Sequence, residues 1–374
     1  MKAKICFIRS NPIRPDSRVE KETKALCRAG YSVHIVAWDR DSDHKQETGK
    51  LIDEFEVTIT RIGCKASFGE GFKNIFPYIR FQVRMMIYLF QHRKEIDIIH
   101  ACDFDTAFFS SIIAKITKTK FVFDIFDFLY GEPQNLLQKI VKRAQIRLIN
   151  NADATIICTE DRKKQIIDSR PRKLAVIHNS PPTVARTDVG SVSTGNKLSV
   201  VYVGILQDYR LILEEIEYFK EHPEYTFNIG GFGKYEAVIR EASAVYENIK
   251  FFGRIKYNDT LKLEQQSNIM LAIYDPTIEN HRYAAPNKFY EALMLGKPVI
   301  MVKGTGMSNE VEENDIGVLI DYSLDGFDKG IKELSDRRNE WPMMSQRMKE
   351  LYKKKYSWEE MEHRLIQLYS EITK

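Results

Sequence analysis

Short apolar runs alternate with amphipathic stretches along most of this chain. Runs rich in Ile, Val and Phe predict buried strands over residues 4–9, 31–38, 55–62, 97–102, 120–126, 154–158 and 174–178. The stretch 17–29 has apolar residues at helical spacing and predicts a helix that ends before Gly30. Strands separated by helices are typical of parallel βαβ units. The first half therefore predicts a doubly wound α/β domain.

A polar segment interrupts this alternation near the middle of the chain. Residues 183–196 are rich in Thr, Ser and Gly and follow two prolines, which predicts a linker. A second series of strands is expected over 198–203, 225–229, 249–252, 269–274, 298–302 and 318–320. We therefore expect one domain over 1–182, a linker over 183–197 and a second doubly wound domain over 198–355. Ligands bind at the carboxyl ends of the strands in such sheets, so we expect a cleft between the two domains.

Composition narrows the class of protein. The 374 residues are 43% hydrophobic and 29% charged, which suits two globular domains of about 100–200 residues each and excludes disorder. No uncharged apolar run approaches the roughly 18 residues of a membrane span, and the N-terminus lacks the apolar core of a signal peptide. The five cysteines lie far apart without a Cys-x-x-Cys pair, which argues against a disulfide framework or a zinc site. We expect a cytoplasmic protein.

Charge divides the chain unevenly. Residues 1–182 carry 31 Lys and Arg against 22 Asp and Glu, a net charge of +9, whereas residues 183–374 carry 25 against 30, a net charge of −5. The first half is expected to face an anionic partner, although a solvated surface explains the excess equally well. Nucleic acid is disfavoured as that partner, because the basic residues fall on helices without interleaved stacking aromatics on a sheet.

The most informative segment covers residues 285–300. Asn287 is expected to cap a helix that ends at Gly296, and the start of such a helix can hold a diphosphate. Lys288 stands in the first turn, where a cation opposes the helix dipole unless an anion lies between them. Glu291, one turn later, suits the hydroxyl groups of a ribose. An ordinary capped amphipathic helix explains the same residues.

This segment resembles the nucleotide-sugar site of the retaining glycosyltransferases of family 4, which have the GT-B fold. Similar motifs follow the family's order at 18–22, 97–103, 203–204, 230–233, 251–255, 306–311, 317–320 and 357–359. The resemblance implies two Rossmann-like domains, with the active-site cleft between them and a terminal helix over 356–374 that crosses back to the first domain. It also implies transfer of a hexosyl or N-acetylhexosaminyl group, with retention, from a UDP- or GDP-sugar.

The resemblance also assigns residues to the donor. Its implied substrate-binding residues are Gly204, Arg210, Arg254, Tyr283, Asn287, Lys288 and Glu291, with Arg210 and Lys288 on the diphosphate. The chain departs from the family pattern at three positions. Tyr283 stands where the family has a glutamate for the donor sugar, Leu206 where an arginine is common, and Phe126 where many relatives have a histidine.

Catalysis of this type implies that the leaving diphosphate takes the proton of the acceptor, so the protein mainly positions groups and stabilises charge. His100, Asp103 and Asp127 are the candidate catalytic residues, because each is expected at a strand end. A helix cap explains Asp103 as well, and a buried structural role explains His100 equally well. Asp127 has no such alternative.

We expect neither a metal nor a cofactor. Three Asp-x-Asp triplets, at 39–41, 41–43 and 103–105, could hold a divalent metal, but a solvated loop and a helix start account for them. The glycines at 231 and 233 are not part of a G-x-G-x-x-G fingerprint, so no dinucleotide is implied.

A helix expected from about Pro77 carries two apolar sets. Residues expected to face the core are Phe72, Ile75, Phe76, Ile79, Val83, Met86, Ile87 and Phe90. The second set, Phe81, Met85, Tyr88 and Leu89, is accompanied by Lys73, Arg80, Arg84, Arg93 and Lys94, and a later helix carries Lys139, Lys142, Arg143 and Arg147. This second set predicts docking on an anionic membrane, although packing against a neighbouring helix explains it equally well.

The sequence thus predicts a cytoplasmic enzyme, peripheral to the inner face of the cell membrane. Its expected acceptor is a polyprenyl-diphosphate-linked or other glycan of a surface polysaccharide, of capsule or lipopolysaccharide type. Two alternatives stay open: a nucleotide-sugar-binding pseudoenzyme that supports another transferase, and a two-domain nucleotide-sugar epimerase.

Overall fold

The computed structural model describes residues 2–52, 54–67, 74–183 and 197–374. The chain forms two compact units, and each has its own sheet, mixed in the N-terminal unit and parallel in the C-terminal unit. The N-terminal unit consists of the residues up to His178 together with Met361–Lys374. The C-terminal unit is Asn179–Glu360. Most of the expected linker, residues 184–196, lies outside the described residues.

The N-terminal unit is built around an eight-stranded sheet. Its strands are β1 (Lys4–Arg9), β2 (Ser32–Asp39), β3 (Gln46–Ile52), β4 (Phe55–Gly63), β5 (Ile98–Cys102), β6 (Lys120–Ile125), β7 (Ala154–Ile157) and β8 (Leu174–Val176). Its helices are α1 (Ser17–Arg28), α2 (Ile75–Gln91), α3 (Asp103–Thr117), α4 (Leu136–Asn151) and the short α5 (Arg162–Gln165). The strand order β3-β4-β2-β1-β5-β6-β7-β8 reverses at β1 and β5, so their carboxyl ends form the ligand-binding edge of such a sheet.

The strand β3 was not predicted from the sequence. It pairs antiparallel with β4 at the edge of an otherwise parallel sheet. Its residues Gln46, Glu47 and Lys50 are polar, so the strand lacks the apolar signal of the buried strands. Charged side chains on an edge strand also discourage pairing with another chain.

The C-terminal unit has a six-stranded, all-parallel sheet. Its strands are β9 (Leu198–Ile205), β10 (Tyr225–Phe232), β11 (Ile249–Phe251), β12 (Ile269–Ala272), β13 (Val299–Val302) and β14 (Gly317–Ile320), in the order β11-β10-β9-β12-β13-β14. Its helices are α6 (Ile212–Glu221), α7 (Glu236–Val245), α8 (Tyr257–Gln266), α9 (Asn287–Leu295), α10 (Ser308–Glu313), α11 (Leu324–Asp336) and α12 (Trp341–Leu351). The last helix, α13 (Trp358–Ile372), belongs to the N-terminal unit from Met361 onward.

These two sheets confirm the predicted class of two Rossmann-like, doubly wound α/β domains. In the C-terminal sheet the strand order reverses at β9 and β12, which marks the carboxyl ends of these strands as its ligand-binding edge. Across the described ranges, no helix combines the length and apolar character that crossing a bilayer requires.

Helix α2 buries the opposite face from the one predicted. Phe81, Met85, Tyr88 and Leu89 are buried, and Trp38 of β2 stacks on Phe81 with ring centroids 5.0 Å apart. The set expected in the core is exposed instead, namely Ile75, Phe76, Ile79, Val83, Ile87 and Phe90, with Met86 partly buried. Phe72 and Lys73 lie outside the described residues. Both faces are apolar at helical spacing, so only the fit against the sheet decides which one is buried.

Candidate functional site

The carboxyl edge of the C-terminal sheet brings bare backbone together. Gly204, near the end of β9, pairs with Gly231 of β10. A β-carbon on Gly231 would lie 1.8 Å from the Gly204 carbonyl oxygen, and its φ of +134° disfavours any other residue. The Gly231 N–H donates to the carbonyl of Gly253, 2.7 Å away. The glycines at these strand ends therefore leave space that a larger residue would fill.

Lys288 lies directly against Gly204. A β-carbon at position 204 would come within 2.6 Å of the Lys288 Nζ, which also lies 4.6 Å from the centroid of the Tyr202 ring. Burial alone would lower the pKa of Lys288, but the neighbouring Tyr202 and Tyr274 hydroxyls raise it above the usual lysine value. The structure therefore places a charged ammonium group over the carboxyl end of β9.

Arg210 joins Lys288 at this edge. Its guanidinium group stacks on Tyr274, 3.8 Å from the ring centroid, and both cations act on the ionisation of Tyr202. Its Nη1 donates to the Tyr209 carbonyl at 2.8 Å and lies 3.2 Å from Nε2 of His281. The two predicted diphosphate residues are therefore close together.

His281 orients Arg210, although nothing in the sequence indicated it. Its Nδ1 lies 2.8 Å from the carbonyl oxygen of Asp275, which can only accept a hydrogen bond. The Nδ1 atom must carry the proton, so Nε2 is left to accept from Arg210. His281 belongs to a 3₁₀ turn, Glu279–Tyr283, that precedes α9. Tyr283, which was predicted to bind the donor, is the last residue of that turn and is partly buried.

The start of α9 differs from the prediction. Asn287 is the first helical residue rather than the cap, because Pro286 before it is extended, with φ −65° and ψ 127°. The Asn287 Oδ1 instead accepts from Asn179 Nδ2 at 3.0 Å. The helix begins without a side-chain cap and ends, as predicted, at Gly296 in the left-handed conformation. Uncapped N–H groups at a helix start suit an anion.

Glu291 lies one turn into α9 and is 5% exposed. Its carboxylate is close enough to the Tyr257 hydroxyl to share a hydrogen bond. Burial and the charge of Glu291 raise the pKa of Glu264 well above its usual range. Glu264 therefore keeps its proton more readily than an exposed glutamate does.

A second buried acid, Glu215, was missed from the sequence. It lies in α6, is fully buried, and neither carboxylate oxygen has a hydrogen-bond partner in the part of the chain that the structure describes. Burial and the charge of Glu214 raise its pKa well above the usual value, while Lys288 acts in the opposite direction. The sequence pattern that could have identified Glu215 is its position on the helix face that Ile212 and Phe219 make apolar.

Arg254 lies at the same edge, in the turn that follows β11. Its guanidinium group is 4.7 Å from the ring centroid of Phe232, the last residue of β10. Arg254 is exposed and Phe232 is 44% exposed, so both present surface to a ligand.

In the N-terminal unit, Asp103 is not the helix cap considered from the sequence. Cys102 is the cap residue, and Asp103 is the first residue of α3, with a positive φ of 65°. Its Oδ1 accepts from the N–H groups of Phe126 and Asp127 at 2.9 and 3.0 Å, and its Oδ2 is 2.5 Å from Arg9. Asp103 thus holds the loop after β6. Burial raises its pKa to about 6, against the opposing pull of Arg9.

Asp127 is the one predicted catalytic residue with a well-exposed side chain, at 60%. Its Oδ1 is 3.0 Å from a guanidinium nitrogen of Arg162, which is itself buried. The ring centroid of the preceding Phe126 lies 4.3 Å from the guanidinium group of Arg9 and 4.6 Å from that of Arg18. The position at which many relatives have a histidine is therefore occupied by an aromatic ring in contact with two cations.

His100 is fully buried, which favours its structural alternative. Its ring stacks on Phe7 at 3.9 Å, its Nδ1 is 2.6 Å from the Tyr369 hydroxyl of α13, and its Nε2 is 3.3 Å from Asp124. These contacts leave no surface for a substrate. His100, Cys102 and Asp124 are close enough to hold a metal, but Asp124 already pairs with the buried Arg18 at 3.0 Å.

Two family models match the chain. Residues 18–181 match Glycosyltransferase Family 4, and residues 197–337 match Glycosyl transferases group 1. No curated protein sequence matches.

Similar solved structures share the fold at low identity. Sucrose-phosphate synthase from Thermosynechococcus elongatus has 15% identity and a TM-score of 0.78, with 99% of each chain covered. The Anabaena protein HepE in complex with UDP-glucose has 15% identity and a TM-score of 0.74, covering 99% of this chain and 100% of its own. The E. coli trehalose-6-phosphate structure bound with UDP-2-fluoro glucose has 10% identity and a TM-score of 0.74, covering 100% of this chain and 99% of its own.

One family model falls mainly on the N-terminal unit and the other on the C-terminal unit, and together they cover most of the chain. The chain is therefore a glycosyltransferase of the GT-B fold and belongs to family 4 and group 1.

Proposed function

We propose that this chain transfers a sugar, with retention, from a nucleoside-diphosphate sugar to a glycan acceptor. The observation that carries the proposal is the pair of cations at the carboxyl edge of the C-terminal sheet, where Lys288 lies against Gly204 and Arg210 stacks on Tyr274. The UDP-sugar complexes among the structures of similar fold support it. Residues 198–355 then bind the donor, and residues 1–182 bind the acceptor.

The donor residues divide by the chemistry of the ligand. Lys288 and Arg210 neutralise the diphosphate, helped by the uncapped start of α9. Glu291 accepts hydrogen bonds from the ribose hydroxyls, and the exposed Arg254 and Phe232 edge suits the base. Asn287 and Tyr283 flank the donor sugar, with Tyr283 in place of the family's glutamate.

The reaction needs no base from the protein. The bond between the anomeric carbon and the diphosphate oxygen breaks, the acceptor oxygen bonds to that carbon on the same face, and the acceptor proton passes to the leaving diphosphate. Lys288 and Arg210 stabilise the negative charge that develops on that group. Asp127 orients the acceptor hydroxyl, with Asp103 and Arg162 fixing its position, and neither a metal nor another cofactor takes part.

We further propose that the acceptor is lipid-linked, as in capsule or lipopolysaccharide synthesis, and that the enzyme works at the inner face of the cell membrane. Helix α2 presents exposed Ile79, Val83 and Phe90, and neither α2 nor α4 contains an acidic residue. Arg84, expected to face the membrane, instead donates to the carbonyls of Gly63 and Asp43. Arg80 lies 3.5 Å from a carboxylate oxygen of Asp43, so among the described residues the unpaired basic part of this surface lies on α4.

A specific observation also favours a pseudoenzyme that binds nucleotide sugars without turning them over. Phe126, at the position of the family's histidine, contacts the guanidinium groups of Arg9 and Arg18 and cannot exchange protons. The two proposals differ in turnover and agree in donor binding.

Turnover separates them. The protein is incubated with UDP- and GDP-sugars and a short-chain polyprenyl-diphosphate glycan, and release of nucleoside diphosphate is measured against Asp127→Asn. Acceptor-dependent release that falls in Asp127→Asn supports the transferase. Donor binding without release for every pair supports the pseudoenzyme.

Membrane attachment is tested by co-sedimentation with phosphatidylglycerol vesicles. We expect binding at low salt and release at 1 M salt, where the Debye length falls to about 3 Å. Lys139→Glu with Arg143→Glu should abolish binding, whereas the control Lys163→Glu with Lys164→Glu, on α5, should retain more of it. No binding at low salt would leave only a soluble acceptor.

A further inference from the structure

A groove between α3 and α4 combines an apolar wall with a basic rim. Its volume is about 680 Å³, within the range of about 300–1,000 Å³ typical of small-molecule sites. Phe108, Ile112 and Ile116 of α3 line it and are 38, 43 and 62% exposed. Three large apolar side chains in one row on an outward helix face are more than a solvated surface requires.

The rim of this groove carries unpaired positive charge. Lys115, Lys118 and Arg147 line it, and none of the three forms an ion pair with any described residue. The one acid in the lining, Asp153, accepts from the Phe121 N–H at 2.9 Å. It also lies 3.6 Å from both Lys120 and Arg172, so its charge is already shared.

A second basic pocket adjoins the groove at Arg147. It has a volume of about 470 Å³ and is lined by Lys139, Lys142 and Arg143, with Asp168 as its single acid. Arg147 lines both spaces, so positive charge continues from the groove along α4. The ligand that suits this arrangement has a negative group for the rim and a hydrocarbon chain for the wall.

We propose that the α3–α4 groove binds one anionic phospholipid. Its chain lies along Phe108, Ile112 and Ile116, and its phosphate lies on Lys118 and Arg147. The inference rests on the proposed membrane location and deepens it, because it names the partner and places it on α3 and α4. A free phosphate would use the rim alone and leave the apolar wall without a function.

The test uses lipid that is monomeric in solution. The full chain is titrated with a short-chain phosphatidylglycerol below its critical micelle concentration, with the phosphatidylcholine of the same chains, and with glycerol phosphate. We expect binding of phosphatidylglycerol only. Comparable binding of glycerol phosphate would identify a soluble phosphate site, and equal binding of phosphatidylcholine would identify a merely apolar one. Either result overturns the proposal.

Two pairs of variants locate the site. Lys118→Gln with Arg147→Gln should weaken phosphatidylglycerol binding by about tenfold or more, since each basic residue contributes to anionic lipid binding. The control Lys163→Gln with Lys164→Gln removes the same charge elsewhere in the N-terminal unit and should not. Ile112→Gln with Ile116→Gln should also weaken binding, whereas Ile167→Gln, at a residue 78% exposed outside the groove, should not.

The outcomes separate the groove from the proposed function. Equal affinity in the groove variants and their controls would overturn the groove even if vesicles still bind through α2. Titration of the unchanged protein with UDP and with GDP tests the donor site independently of either lipid result.

Discussion

Gly204 and Lys288 occupy neighbouring space, so even a methyl group at position 204 should displace the lysine amine. The β-carbon of Gly204→Ala would lie 2.6 Å from Nζ, which sits at the end of a flexible side chain and can move. We expect the variant to fold and to bind the donor nucleotide, UDP or GDP, about tenfold more weakly, because one charge-assisted contact is lost. Calorimetric titration measures the affinity, and thermal unfolding confirms the fold.

A double variant makes this prediction specific. If Gly204→Ala acts through the lysine, it should add little in a Lys288→Met background, because the interaction is already lost. Equal effects of Gly204→Ala in both backgrounds would show that the alanine blocks the ligand directly.

The ribose is expected to report on Glu291. A carboxylate that accepts from both hydroxyls loses charge-assisted bonds when it becomes an amide. Glu291→Gln should therefore weaken binding of the donor nucleotide, UDP or GDP, more than binding of its 2′-deoxy form. Parallel titrations of the two ligands measure the difference. Equal losses would place Glu291 in the support of its own helix, through Tyr257 and Glu264.

Residues were predictable from sequence where one local pattern defines their role. Lys288 and Gly204 each belong to a short motif, and the structure brings them together. His281 and Glu215 were missed because their roles depend on contacts made by other segments, such as the Asp275 carbonyl that fixes the His281 tautomer. Asn287 was assigned as a cap because the extended geometry of Pro286 is not visible in composition.

At the scale of single elements, the two apolar faces of α2 should contribute differently to the stability of the fold. Phe81 is fully buried beside Trp38, whereas Phe76 on the same helix is 79% exposed. Phe81→Ala should reduce the free energy of unfolding by about 3–5 kcal/mol, and Phe76→Ala should change it by less than about 0.5 kcal/mol. Denaturant unfolding measures both. Similar losses would mean that the exposed set also packs in the folded protein.

Lys297, just after the carboxyl end of α9, should make the stability of the protein depend on pH. Burial, and then the charge of Lys349 on α12, lower the pKa of Lys297 to about 8, below the usual lysine value. Between that pH and the pKa of the unfolded chain, about 10.4, the unfolded state binds more protons, so stability rises with pH. Relative to Lys297→Met, the unchanged protein should gain unfolding free energy from pH 8 to pH 10. A difference that is constant with pH would contradict the shift.

Strands and helices were predictable from the sequence where the pattern of apolar residues allows only one buried face or one continuous buried run. The buried parallel strands have continuous apolar runs, and the structure has a strand at each of those positions. The polar edge strand β3 and the burial of α2 were not predictable, because one lacks an apolar signal and the other has two.

At the scale of the whole molecule, charge and chemistry divide between the halves of the chain. The half with a net charge of +9 contains the exposed apolar residues of α2 and α3, whereas the half with a net charge of −5 contains the cation pair Lys288 and Arg210. Because the C-terminal half carries more acidic than basic residues, two cations close together at one edge of its sheet point to an anionic ligand. They are expected to be kept for an anionic ligand rather than for general surface charge.

The central claim is that Lys288 binds the diphosphate of a nucleotide sugar, and titration of UDP and GDP into the protein and Lys288→Met tests it most directly. The matched control is Lys297→Met, which removes a lysine just beyond the other end of the same helix. We predict that one of the two nucleotides binds the unchanged protein and the control alike, and that Lys288→Met binds it at least about tenfold more weakly. Equal affinity for all three proteins would contradict the account.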